Sequence, residues 1–220
     1  MSSEWVDWHK GYASDTNQAR RLRFVQDLLR QALDRAPPGP VRVVSLCAGD
    51  GRDILGVLED HSRRADVRAL LVESDPDLVR VGRERARALG LAPEQLEYLE
   101  ADASRTDALK GKVPAQIVLV CGIFGNVTDE DVRNTIHHLP ELLAPGGCAL
   151  WTRGRFEPDL TPAIRQWLGE EGFDELAFVQ VPDSLATVGS GWLRAPPRPW
   201  RAGVRLFTFL PRSERPSARK

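Results

Sequence analysis

Between Val43 and Ile54 the chain reads Val-Val-Ser-Leu-Cys-Ala-Gly-Asp-Gly-Arg-Asp-Ile. An apolar run breaks into a tight glycine turn and then opens a helix. Glycines at such a turn let backbone amides approach a small ligand at the helix N-terminus. A second apolar run, Ala69 to Val72, ends in Glu73, 22 residues after Gly51. Strand-helix-strand nucleotide sites place a carboxylate on a ribose near this spacing. A bound adenosine is therefore the first expectation.

The rest of the chain supplies a scaffold for such a turn. Asp15 or Thr16 caps a helix whose apolar positions Leu22, Val25, Leu28, Leu29, Ala32 and Leu33 recur at helical spacing. Pro37-Pro38-Gly39-Pro40 ends it. Strand and helix then alternate: strand 41–46, helix 51–60, strand 67–73, helix 77–88, strand 96–101 and strand 117–121. Thr128 caps the next helix, and Ala144-Pro145-Gly146-Gly147 stops it. Strand 148–152, helix 160–170, strand 176–181, a long loop and strand 204–210 complete the pattern. Alternation of this kind predicts an α/β fold, a parallel sheet covered by helices on both faces. Its ligands lie at the carboxyl ends of the strands, where Ser45 to Gly51, Glu73, Asp102 and Cys121 to Asn126 all fall. The expected organisation is one domain: an N-terminal lid segment and helix over 1–36, a core over 41–210 and a flexible tail over 211–220.

Charge and cysteines narrow the class. Thirty Lys and Arg stand against 31 Asp and Glu, a net charge of -1. Nucleic-acid partners draw on a basic surplus that this chain lacks. Cys47, Cys121 and Cys148 are widely spaced in apolar runs, and they read as small hydrophobes in a reducing compartment rather than as metal ligands. The first residues lack a signal-peptide core and no apolar run approaches the ~20 residues of a membrane span, so a soluble, cytoplasmic protein is expected.

A dinucleotide turn wants G-x-G-x-x-G, but Ile54 occupies the place of the third glycine, and no Gly-Lys-Ser/Thr follows as a P-loop requires. Four segments instead resemble class I S-adenosylmethionine-dependent methyltransferases. Ser45 to Gly51 looks like that family's first motif, Leu71-Val72-Glu73-Ser74-Asp75-Pro76 its second, Glu100-Ala101-Asp102-Ala103 its third, and Leu143-Ala144-Pro145-Gly146-Gly147 its turn into the fifth strand. The resemblance implies a Rossmann-like three-layer sandwich with a seven-stranded, mostly parallel sheet whose last strand is antiparallel. It implies S-adenosylmethionine as cofactor, held by Ala48, Gly49, Asp50, Gly51, Glu73, Ser74, Asp102, Ala103 and Gly122, with Glu73 on the ribose hydroxyls and Asp102 on the adenine amino group. Taken singly, Glu73 also reads as a solvated strand-end carboxylate and Asp102 as a cap for the turn at Ala103-Ser104. Two residues depart from the family pattern: Ser45 replaces an acidic residue and Cys47 the first glycine, which is tolerable if φ at Cys47 stays negative.

The implied activity is methyl transfer to a small organic acceptor such as a secondary metabolite. A non-catalytic cofactor-binding regulator and an NAD-linked oxidoreductase are the rivals. Methyl transfer needs alignment and water exclusion, and a base only where the acceptor is protonated. His9 is the candidate base, and Tyr12 or Trp8 would face the sulfonium or a flat acceptor. Pro182 to Gly203, with Trp192, Arg194 and Trp200, reads as a pocket wall, a packing anchor or a dimer contact. Arg153 and Arg155 either hold an acidic acceptor group or form a solvated rim, and His137 and His138 read as structural. Cys121 to Asn126 lacks the Asn/Asp-Pro-Pro-aromatic signature of many enzymes that methylate nucleobases.

Overall fold

The computed structural model describes residues 16–215. Thr16 accepts a hydrogen bond from Ala19 N–H at 3.1 Å and so caps α1, Asn17–Arg35, which buries Val25, Leu28, Leu29, Ala32 and Leu33 before the proline run ends it. Then follow β1 (Val41–Leu46), α2 (Arg52–Leu58), β2 (Val67–Glu73), α3 (Pro76–Ala88), β3 (Leu96–Glu100) and β4 (Ala115–Val120). The chain continues through α4 (Asp129–Leu142), β5 (Leu143–Gly154), α5 (Thr161–Glu170), β6 (Phe173–Gln180) and β7 (Ala186–Leu193). The seven strands form one sheet in the order β3-β2-β1-β4-β5-β7-β6. Pairing is parallel from β3 to β5, while β7 runs antiparallel to both β5 and β6. This is the expected three-layer sandwich with its last strand reversed.

The sheet separates two cores. On one face α1, α2 and α3 bury Leu29, Ile54 and Val79 against Val43, Leu71 and Leu119. On the other, α4, α5 and a C-terminal stretch bury Ile136, Ile164 and Phe207 against Val44, Val118 and Trp151. Central strands are apolar on both faces because helices cover both. The strand order reverses between β1 and β4, and α/β sheets open their ligand crevice at such a reversal.

The C-terminal third departs from the sequence reading. The expected loop from Pro182 contains β7, and the expected strand over 204–210 makes only isolated bridges, Arg105 with Arg205 and Val127 with Phe209. Glycines hide β7: a Cβ on Gly189 would lie 2.3 Å from the Trp151 ring, so packing demands a residue that strand propensity disfavours. Residues 204–210 are apolar for a different reason. Leu206 and Phe207 are fully buried against the second core, and the Leu206 carbonyl accepts from Asn134 and Thr135 of α4. Trp192 and Trp200 pack against opposite cores, and Arg194 pairs with Asp174 at the surface, so these three side chains are not pocket wall. Ser184, Leu185 and Ala186 at the start of the stretch do line a cavity.

Candidate cofactor site

Four strand ends build the site. After β1 the backbone turns through Cys47, whose φ is +52°, then Gly49 at +58° and Gly51 at +69°. The expected negative φ at Cys47 does not hold. A non-glycine side chain there carries left-handed strain on the order of 1–2 kcal/mol. Strain of this kind persists where surroundings over-determine the backbone, and here two contacts do so. Ala48 N–H donates to the Val72 carbonyl at 3.0 Å, and Gly51 N–H donates back to the Ala48 carbonyl at 3.0 Å.

Glu73, only 7 % exposed, organises the crevice. Its Oε1 accepts from the N–H groups of Ser74 at 2.8 Å and Asp75 at 2.9 Å, while Oε2 accepts from Gly49 N–H at 2.8 Å. A carboxylate offers about four acceptor positions, so Oε2 keeps one for a ligand. Asp75 in turn caps α3 by accepting from Asp77 and Leu78 N–H. The second motif therefore braces the first through backbone donors.

A cavity opens on this carboxylate. Ala48, Glu73, Ser74 and Gly122 line it, together with Cys47, Cys121, Leu78, Arg52, Asp53 and Phe209, and α1 closes it with Arg21, Leu22 and Val25. Gly49 and Gly51 shape the turn behind it. Asp50 lies elsewhere: its carboxylate is buried between Arg52 and Arg85, each with a 2.8 Å contact, and does not line the cavity. Asp102 accepts from Ser104 N–H at 2.9 Å and lies 3.7 Å from Arg205, which is the turn-capping arrangement, and neither it nor the buried Ala103 lines the cavity. Partial burial pushes the Asp102 carboxyl up, but Ser104, Arg205 and Arg105 more than offset it and hold the group below its usual range. His9 and Tyr12, with Trp8, lie outside the described residues.

Sequence reasoning missed Arg21, Leu22, Val25, Arg52, Asp53, Leu78 and Phe209 as lining residues. Leu22 and Val25 carried a signal, the apolar stripe of α1, but a stripe does not reveal that one end of it faces a cavity. Asp53 sits two residues beyond Gly51 in the first turn of α2, where a carboxylate also favours the helix dipole.

Gly122, with φ at +78°, donates its N–H to Thr152 Oγ1 at 2.8 Å and accepts at its carbonyl from Asn126 Nδ2 at 2.7 Å. It also lines a second cavity, at the ends of β4 and β5 and the β6–β7 hairpin. Arg21 is the other residue common to both cavities, so the two adjoin.

The thiols give a pH-dependent test. All three cysteines are free, and burial raises each thiol, Cys148 to about 12; at Cys47 the charges of Glu73 and Asp102 add to burial. An unfolded thiol ionises near pH 8.5. Their contribution to stability is therefore full below that pH and declines above it, as the unfolded chain loses protons that the folded chain keeps. Iodoacetamide at pH 8 is expected to leave the buried Cys148 unmodified in the native protein and to label the half-buried Cys47 and Cys121 of the cavity wall more slowly than after denaturation. All three should be labelled once denatured, read by intact mass. Native labelling of Cys47 at the denatured rate would contradict this assignment.

Among the described residues no cluster of His, Cys, Asp and Glu is suited to a metal ion, and no helix is long and apolar enough to cross a membrane. The family described as "Putative methyltransferase" matches residues 17–171, well over half of the chain. The "Uncharacterized protein YnbC" of Escherichia coli (strain K12) is 28 % identical over 145 residues, 64 % of this chain and 24 % of that protein, so the chain spans about a quarter of that relative's length. Among solved structures, the Synechocystis PCC 6803 magnesium protoporphyrin IX methyltransferase with bound S-adenosylmethionine superposes with a TM-score of 0.67 at 13 % identity, over 87 % of this chain and 91 % of that one. The Burkholderia thailandensis 1,6-didemethyltoxoflavin-N1-methyltransferase, bound to 1,6-didemethyltoxoflavin and S-adenosylhomocysteine, superposes at 0.61 and 18 % identity over 87 % of each chain. The matched sequence and the 3-2-1-4-5-7-6 sheet agree: the chain belongs to this methyltransferase family and has the class I S-adenosylmethionine-dependent methyltransferase fold.

Proposed function

We propose that this protein transfers a methyl group from S-adenosylmethionine to a small organic acceptor. The carrying observation is Glu73: a buried carboxylate, braced by backbone donors of two motifs, with an acceptor position left at the mouth of the first cavity. That position suits a ribose hydroxyl. The lining also fits the rest of the cofactor, with apolar Leu22, Val25 and Leu78 for the adenosine and both signs of charge, Asp53 and Arg21, for a zwitterionic amino-acid end. A dinucleotide fits less well, because Ile54 is 1 % exposed and fills the space that a third glycine would leave between helix and sheet.

When bound, the cofactor supplies an electrophilic methyl on a sulfonium. The chain's own task is then to hold the acceptor in line and to keep water out, and orientation of this kind is worth roughly 7–11 kcal/mol. The second cavity adjoins the first at Gly122 and Arg21, which supports a small molecule as the acceptor. The neutral charge balance argues against nucleic acid, and three free thiols suit a reducing compartment such as the cytoplasm.

Calorimetric titration tests the reading. S-adenosylhomocysteine is expected to saturate the protein and NAD is not. No heat up to about 1 mM product analogue, the upper end of ordinary KM values, overturns the proposal. Saturable binding with no labelled methyl transfer across a broad acceptor panel supports the non-catalytic rival instead.

A further inference from the structure

Among the described residues, the second cavity contains a buried cation that no carboxylate contacts. Arg153, at the end of β5, is 5 % exposed and lines this cavity. Its Nη1 donates to the Phe124 carbonyl, its Nε is buried with no acceptor, and no ion pair reaches it among the described residues. Asp129 and Asp159 act on it only through their fields, and burial lowers the guanidinium from its ordinary value without bringing it near neutrality. Among the described residues the ionisable side chains on the cavity wall are Arg21 and Arg153, with no carboxylate. An uncompensated buried charge is strongly unfavourable and calls for a partner of opposite sign. The Phe124 carbonyl supplies a dipole rather than a charge, and no described carboxylate contacts the guanidinium.

The surroundings say what kind of partner fits. Phe156 and Leu185 give the same cavity an apolar wall, and Leu185 is 40 % exposed, an unusual state for a large apolar side chain in this protein. Arg153 also follows Thr152, the residue whose hydroxyl fixes Gly122 at the junction with the first cavity. An anion held by Arg153 would therefore lie one pocket away from the proposed methyl donor. We propose that the methyl acceptor is an apolar small molecule bearing a carboxylate, and that Arg153 binds that carboxylate while Phe156 and Leu185 cover the apolar body. This specificity-determining role rests on the methyltransferase reading, because it takes the first cavity as the donor's.

The test uses matched pairs of probes, benzoate against benzamide and 2-naphthoate against 2-naphthamide, titrated into the full chain with and without saturating S-adenosylhomocysteine. Wild type is expected to favour each acid over its amide by at least about tenfold, as charge-assisted hydrogen bonds allow. Arg153→Gln is expected to erase the preference and Arg153→Lys to keep part of it, with S-adenosylhomocysteine affinity within about twofold of wild type in both. A purely structural Arg153, bracing Phe124, would lower the melting temperature without changing the acid-to-amide ratio. Equal binding of acids and amides by wild type, absence of acid binding, or a preference that survives Arg153→Gln overturns the inference. Failure of wild type to bind S-adenosylhomocysteine overturns the methyltransferase reading separately, and the cofactor-free titrations still decide whether Arg153 is an anion site.

Discussion

Gly51→Ala is expected to cost roughly 2–5 kcal/mol of stability, a large share of what a domain possesses. Two independent effects contribute. Gly51 has φ at +69°, where a Cβ adds on the order of 1–2 kcal/mol. The added Cβ would also stand 2.1 Å from Tyr98 Oη and 2.8 Å from Leu71 Cδ2. Tyr98 has no room to retreat, since a Cβ on Gly82 would stand 2.1 Å from the same hydroxyl: the phenol is wedged between the start of α2 and α3. Overpacking of this kind costs typically 1–3 kcal/mol. At about 2–4 °C per kcal/mol for a chain this size, the melting temperature should fall by roughly 5–20 °C. The wedge separates the two effects. Tyr98 Oη is buried with no hydrogen-bond partner among the described residues, so Tyr98→Phe removes the clashing atom without breaking a bond. In the Tyr98→Phe background, Gly51→Ala should cost less, the backbone part of about 1–2 kcal/mol plus what the remaining Leu71 contact adds. Thermal melts of the four proteins check this. Equal losses in both backgrounds would remove the wedge from the explanation.

The same wedge shows which features were legible in the sequence. Gly51 was readable as a turn glycine because strand, glycine and helix are contiguous, and local order constrains local backbone. Tyr98 beneath it was not readable, because its place depends on β3 pairing with β2, a contact between distant segments. The central strands were legible for a similar local reason: burial on both faces leaves no alternation to confuse. β7 failed that test, since Gly189 answers to the aromatic ring of Trp151 rather than to strand propensity. The resemblance to a family supplied a seventh, antiparallel strand but not its position in the chain.

Within the site, position was more legible than state. Glu73 could be placed at a strand end, but not its three backbone donors, one of which comes from Gly49 in the other motif. Asp50 looked available until α3 brought Arg85 onto it from 35 residues away. Arg153 is the reverse case. Nothing nearby in sequence predicts that residues 184–186 of the hairpin after β6 join in enclosing it. Charged side chains owe their availability to partners that only the fold supplies, so sequence alone both overstated Asp50 and left Arg153 undecided.

Glu73→Gln carries the second large effect, on affinity more than on stability. Oε1 accepts two N–H groups and Oε2 one, so the new amide oxygen will occupy the doubly bonded position. The amide nitrogen must then face Gly49 N–H, donor against donor. One buried, charge-assisted hydrogen bond is lost and one donor is orphaned, a cost of about 1–3 kcal/mol in the ligand-free protein. The position proposed for the ribose is lost as well, because the nitrogen that replaces Oε2 cannot accept from a hydroxyl. S-adenosylhomocysteine should therefore bind roughly 10–100-fold more weakly, the equivalent of one charge-assisted bond. Glu73→Ala should unfold at lower temperature still, since it orphans the N–H groups of Gly49, Ser74 and Asp75 together. Calorimetry and melting on the same samples distinguish brace from ligand. A Glu73→Gln protein that melts early yet binds the product with wild-type affinity would make this carboxylate a brace alone, and the adenosine would have to be held by other groups of the crevice.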